Sequence, residues 1–486
     1  MANGLESDDK TGRQMTGISK SAGAVACALV VGGLGVQMPQ DESGAKVREY
    51  TIDADFFPDE GRMSATVDME FLAGSVTEDT LVFYLHGELN VERVEAGGRP
   101  LEVVQDLVFN ENDYSNVARQ VRFAASDIDP AGFIRVSYSG HFNPSVVAAI
   151  SNYMRVDSDG VFLRSLGYSL WFPVFVESWR DSYEVSFSSV TIRTPPEFKA
   201  VFAGQHVRDY EEGGRRVSEW HAPRLNLFDA QCTARRFDVV SDGGFFLYHL
   251  RDSLAGANAA EILAFSSRLK SLYQTHYRRD VTADQIHVMQ MPEYGNIASG
   301  NVIGIDDEVW SQFEVTAWQS TTVAHELVHS FVRLPHSAEF GSFVIEGFPS
   351  YFHLPAMAEI LGEDWYQDYV RRVEDQYLSK RETGRGRRGE PLPPEKPILE
   401  IGTDEISEYK DTFVLNDRVR LFFDYLRRQL GSDGFFRLAS DLMNREMLDY
   451  ESMVAVIEAF LPGSGEGVYR WLRTSEYPEE FRLEAR

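Results

Sequence analysis

His325 and His329 stand four residues apart in the run Thr321-Thr322-Val323-Ala324-His325-Glu326-Leu327-Val328-His329-Ser330. On a helix that spacing brings two imidazoles onto one face. Two neutral imidazoles so placed both reach one zinc ion at about 2.0–2.1 Å. Glu326, between them, can act as general base by taking a proton from a metal-activated water. In a chain with 11 histidines, chance supplies only about 0.02 such pairs with a glutamate directly after the first. The motif is therefore read as chemistry rather than coincidence.

A catalytic zinc takes a third protein ligand and keeps one position open. Downstream runs Phe343-Val344-Ile345-Glu346-Gly347-Phe348-Pro349-Ser350-Tyr351-Phe352. An acid inside so apolar a stretch is costly unless something neutralises it, and a shared cation does so. The expected metal ligands are thus His325, His329 and Glu346, holding one Zn2+ per chain, with Glu326 as the catalytic base. A purely structural zinc would favour a fourth protein ligand, so a hydrolase is expected.

These residues need a helix for the two histidines and a second for the glutamate. Apolar residues recur at helical spacing over 320–332, 343–361, 365–378, 412–430, 434–443 and 451–460, and earlier over 257–277. Ser320, Thr321 or Thr322 is expected to cap the first of them. Short strands are expected at 244–250, 286–291 and 302–305. The segment 302–305 is a candidate edge strand for pairing with a substrate backbone. From about 50 to 240 the pattern alternates instead, as in Met63-Ser64-Ala65-Thr66-Val67-Asp68-Met69, with Gly, Pro, Asn and Asp between runs. The fold class expected is α+β and multidomain: an all-β saddle or sandwich over 46–242, then an α+β domain over 243–474 ending in helices, and a tail over 475–486.

The chain has 486 residues and a formal net charge of −28. That charge argues against a nucleic-acid partner, which calls for a basic stripe. Residues 1–45 are set apart as a leader. Arg13 and Lys20 precede a small-residue apolar run over 22–36, which suits export or an N-terminal membrane tether. An extracytoplasmic location is expected on that basis. Only Cys27 and Cys232 occur, so no disulfide framework beyond a single bridge is expected.

HELVH followed by IEGFPSYF resembles the signature of the aminopeptidase N and leukotriene hydrolase family of gluzincins. So, less strongly, does Leu170-Trp171-Phe172-Pro173 followed by Ser178-Trp179-Arg180. The resemblance implies a saddle-like β domain, a thermolysin-like catalytic domain with one zinc, and an aminopeptidase-like action on peptides or small proteins. The large C-terminal helical domain of many relatives is absent, which implies a more open cleft. Two fewer residues than usual separate His329 from Glu346, and Ile345 stands where the family has Asn. In the family an upstream strand binds the substrate amino terminus. Here the matching residues are Gly300 and Asn301, and Glu293 is a candidate replacement for the missing acid. Asn416 falls at the register of the family's transition-state tyrosine, and Tyr409, one or two turns earlier, is the expected donor in its place. Two other readings remain open: a zinc hydrolase of a non-peptide bond, and a non-catalytic zinc protein that binds a partner.

Overall fold

The computed structural model describes residues 45–483, apart from 111–116, 129–131, 143–153, 165–168, 177–182, 252–253, 278–283, 292–295, 333–342, 387–388, 402–412 and 446–447. Its first half is β. Eight strands form one sheet in the order Gln205–Glu212, Arg215–Asn226, Glu184–Thr194, Val47–Phe57, Arg62–Phe71, Phe133–His141, Leu89–Ala96 and Arg99–Pro100. Arg62–Phe71 buries every second residue, the mark of a strand with one face on a core. A four-stranded and a three-stranded sheet complete this half. Leu170-Trp171-Phe172-Pro173 threads the space inside, buried throughout its first three residues. Trp171 donates to the Ala230 carbonyl at 3.0 Å, and the Tyr50 and Tyr138 hydroxyls donate to the Pro173 and Trp171 carbonyls. Ser178, Trp179 and Arg180 lie outside the described residues.

A five-stranded sheet follows, in the order Phe237–Asp242, Phe245–Leu250, Ile286–Met291, Val302–Asp306 and Ile297–Ser299. The expected boundary at 242/243 falls inside its first hairpin, because Phe237–Asp242 pairs along its length with Phe245–Leu250. Ile286–Met291 is buried at every position, as a strand covered on both faces must be. Its period of two splits the load. Ile286 and Val288 face the helical core, whereas Met289 and Met291 join the core of the β half. Leu247 against Tyr248, and Ile303 against Val302, divide in the same way. One sheet is thus the shared wall between two cores.

The helical side contains α1 (Ala259–His276), α2 (Asp307–Ser311), α3 (Trp318–His329), α4 (Phe348–Leu361), α5 (Glu363–Thr383), α6 (Val419–Met443), α7 (Tyr450–Phe460) and α8 (Gly465–Arg473). Two expected helices, over 412–430 and 434–443, run together as α6, with Gly431 at φ 69°, ψ 168° breaking the helix between them. Within the expected tail Tyr477 and Phe481 are buried, and the Tyr477 hydroxyl donates to Glu374 at 2.8 Å. Among the described residues no helix is long and apolar enough to cross a membrane. The leader, including Cys27, lies outside them.

Candidate metal centre

Helix α3 packs Val323, Ala324, Leu327 and Val328 into the helical core. That leaves His325 and His329 half-buried on the opposite stripe. The expected side-chain cap is missing. Ala317 precedes the helix, and the hydroxyls bond backward instead, Ser320 to the Ala317 carbonyl at 2.7 Å and Thr321 to the Trp318 carbonyl at 2.6 Å. Such back-bonding satisfies a hydroxyl already inside a helix and cannot serve the free N–H groups before it.

Glu346 arrives from a wide helical turn, Phe343–Gly347, that runs directly into α4. Wide turns of this type recur at functional sites because they re-aim one side chain. Helices α3 and α4 pack together. The Nε2 atoms of His325 and His329 lie 3.2 Å apart, and Glu346 Oε2 lies 3.8 Å from His325 Nε2. One donor atom from each of the three falls within 4.8 Å of the others.

That geometry fits zinc. Bonds of about 2.0–2.1 Å in a tetrahedron put neighbouring ligand atoms about 3.3 Å apart. The donor set, two imidazoles and one carboxylate, is that of catalytic sites that keep a fourth position open. Burial, with His329, His353 and Arg420 nearby, holds the His325 imidazole well below its ordinary pKa. It therefore stays neutral, with the lone pair a metal requires. Glu326 is buried on the same helix, one position after His325.

The remaining expected residues divide. Gly300 and Asn301 form the two-residue turn between Ile297–Ser299 and Val302–Asp306. Gly300 has φ +67°, and a Cβ there would meet Leu225 Cδ1 at 3.2 Å and Ala203 Cβ at 3.4 Å. Its carbonyl accepts from Ser330, the residue after His329, at 3.0 Å. The Asn301 side chain is committed to the backbone of Gly204 and Gln285 at 2.7–2.8 Å. Asn301 therefore clamps two parts of the fold rather than presenting its amide to a substrate. Val302–Asp306 is not an edge: it pairs with Ile286–Met291 on one side and Ile297–Ser299 on the other. Among the described residues the edge on this side of the sheet is Ile297–Ser299. Asn416 is half-buried in a second wide turn, Phe413–Arg418, which packs against the turn carrying Glu346. Tyr409 and Glu293 lie outside the described residues.

Two neighbours were not expected from sequence. His353 is buried on α4 with its ring centroid 5.5 Å from that of His325, and its Nδ1 lies 2.8 Å from the Pro349 carbonyl. Burial and Arg420 push its pKa down to about 3. Arg420, on α6, donates to the Ser350 carbonyl at 2.8 Å. A signal for His353 existed: it follows Glu346 by seven residues, two helical turns, and so shares its face.

No protein-family model matches this sequence, and no curated protein matches it significantly. Solved structures do. A variant of the M1 zinc metallopeptidase of Deinococcus radiodurans, bound to the tripeptide Tyr-Ser-Ala, superposes with a TM-score of 0.66 at 16% identity. The match covers 90% of this chain and 96% of that one. A variant described as a two-domain M1 zinc metallopeptidase, bound to L-tryptophan, matches at 15% identity and a TM-score of 0.66, covering 90% and 97%. Native yeast LTA4 hydrolase gives 0.65 at 12% identity, covering 91% of this chain and 70% of its own. The fold is that of these proteins.

Proposed function

We propose that the chain is a zinc-dependent, aminopeptidase-like metallopeptidase of the aminopeptidase N and leukotriene hydrolase family. The convergence of His325, His329 and Glu346 on one point carries this reading. That the fold is shared with M1 zinc metallopeptidases supports it.

His325 and His329, from α3, and Glu346, from the following turn, would hold one zinc ion. Zinc bound there supplies Lewis acidity toward a scissile carbonyl and its attacking water. Glu326 accepts the proton of that water and returns it to the leaving amine. Ile297–Ser299 offers a strand edge along which an extended peptide can pair. Asn416, at the matching register, and Tyr409 are the candidate donors to the developing oxyanion. One such donor is worth about 2.7–4 kcal/mol in comparable sites. Glu293 is the candidate acid for a free amino terminus.

Glu326→Gln tests the reading. It keeps size and hydrogen bonding but removes the base, so zinc content should match wild type while peptide turnover disappears. Undiminished turnover would reject Glu326 as base. Comparing substrates with free and acetylated amino termini then tests the aminopeptidase-like mode, which requires the free amine. A second reading, hydrolysis of a non-peptide bond, draws on yeast LTA4 hydrolase standing among the similar structures. Loss of turnover on every peptide, with zinc bound, would favour it.

A further inference from the structure

Large apolar side chains are exposed at a few places among the described residues, and in the catalytic half Trp318 stands alone in this, 53% exposed. It opens α3 and lies seven residues before His325. Along α3, Trp318, Thr321, Thr322, His325 and His329 are the exposed or half-buried positions, and the intervening residues are buried. Spacings of three and four make those five one continuous stripe. Trp318 thus belongs to the face that carries the metal ligands.

The stripe is electrically neutral between Trp318 and His325. The Thr321 and Thr322 hydroxyls are turned back to the Trp318 carbonyl, at 2.6 and 3.4 Å. The stripe thus offers a substrate uncharged contacts between an open indole and the histidines. A rise of 1.5 Å per residue puts Trp318 about 10 Å along the axis from His325. An extended peptide covers that distance in about three residues.

Resting on the peptidase reading, we propose that Trp318 is a specificity-determining residue. It forms a platform for an apolar or aromatic side chain about three residues from the scissile bond. The substrates favoured are then oligopeptides with an apolar residue at that distance, not aminoacyl derivatives alone.

The test uses the zinc-loaded full chain and a series from aminoacyl amides to hexapeptides, carrying either Phe or Asp at the distal position. Trp318→Ala should lose about tenfold in kcat/KM on the long Phe peptides, mainly through KM, and nothing on the amides. Trp318→Phe should recover most of the loss. Equal loss on short and long substrates, or none on either, overturns the proposal. Should wild type cleave no member of the series, the peptidase reading fails separately. Calorimetric binding of the same peptides to zinc-loaded Glu326→Gln then decides: about tenfold weaker binding with Trp318→Ala added supports the platform, while equal or absent binding overturns it.

Discussion

Asn301 and Gly204 exchange two hydrogen bonds across the contact between the two halves of the molecule. The Gly204 N–H donates to Asn301 Oδ1 at 2.8 Å, and Asn301 Nδ2 donates to the Gly204 carbonyl at 2.7 Å. A third bond, to the Gln285 carbonyl at 2.8 Å, anchors the same amide within the five-stranded sheet. Asn301→Ala removes three hydrogen bonds from part-buried backbone groups, which costs about 1–3 kcal/mol. The variant should unfold at a lower denaturant midpoint yet bind zinc as tightly as wild type. A residue reading the substrate would instead raise KM and leave the midpoint alone.

His287 makes the same contact sensitive to acid. It is fully buried, within hydrogen-bond reach of the Gly204 carbonyl at 3.2 Å and the Tyr248 hydroxyl at 3.1 Å. Burial pushes its pKa down to about 3. The unfolded chain binds a proton there near pH 6.5 and the folded chain does not. Stability is therefore complete above about pH 6.5 and is lost as pH falls toward about 3, at about 1.4 kcal/mol per pH unit for this one group. Between pH 6 and 4, urea midpoints of His287→Gln should fall with a shallower slope than wild type. Parallel slopes would remove His287 from the account.

Gly431 permits a conformation other residues resist. Its φ of 69° with ψ of 168° lies where glycine is nearly the sole occupant. Nothing within 4 Å would meet an added Cβ, so packing does not enter. Gly431→Ala should cost about 1–3 kcal/mol from backbone strain alone. A thermal midpoint equal to wild type would mean that the helix simply runs through.

The cluster of His325, His329 and Glu346 was legible in the sequence because each residue carried its own signal. Spacing four placed His325 and His329 together, and an acid in an apolar run singled out Glu346. Helix α3 was legible through its period, whereas α4, buried at every position from Phe348 to Ala358, shows only as an apolar run. Strand pairing was not legible. Whether Val302–Asp306 or Ile297–Ser299 forms the edge depends on which strand a parallel neighbour takes, and three residues of Ile297–Ser299 carry no periodic signal. Asn301 was singled out by its register against the family's upstream strand, and register cannot tell a residue that meets a ligand from one that clasps the fold. Only the position of Gly204, 97 residues earlier, separates the two.

The metal itself should be visible in stability before any substrate is known. The three donor atoms lie close enough to share one ion in the fold, and an unfolded chain has no such arrangement. Zinc at 1,000 times its dissociation constant should then stabilise the fold by about 4 kcal/mol. Thermal midpoints with excess zinc and with chelator should differ for wild type and for Glu326→Gln, whose ligands are intact. His329→Ala and Glu346→Ala should each lose most of that difference, because a pair of ligands holds zinc far less tightly than three. A zinc-dependent shift that survived both substitutions would place the ion elsewhere. The peptidase reading would then have no centre on which to act.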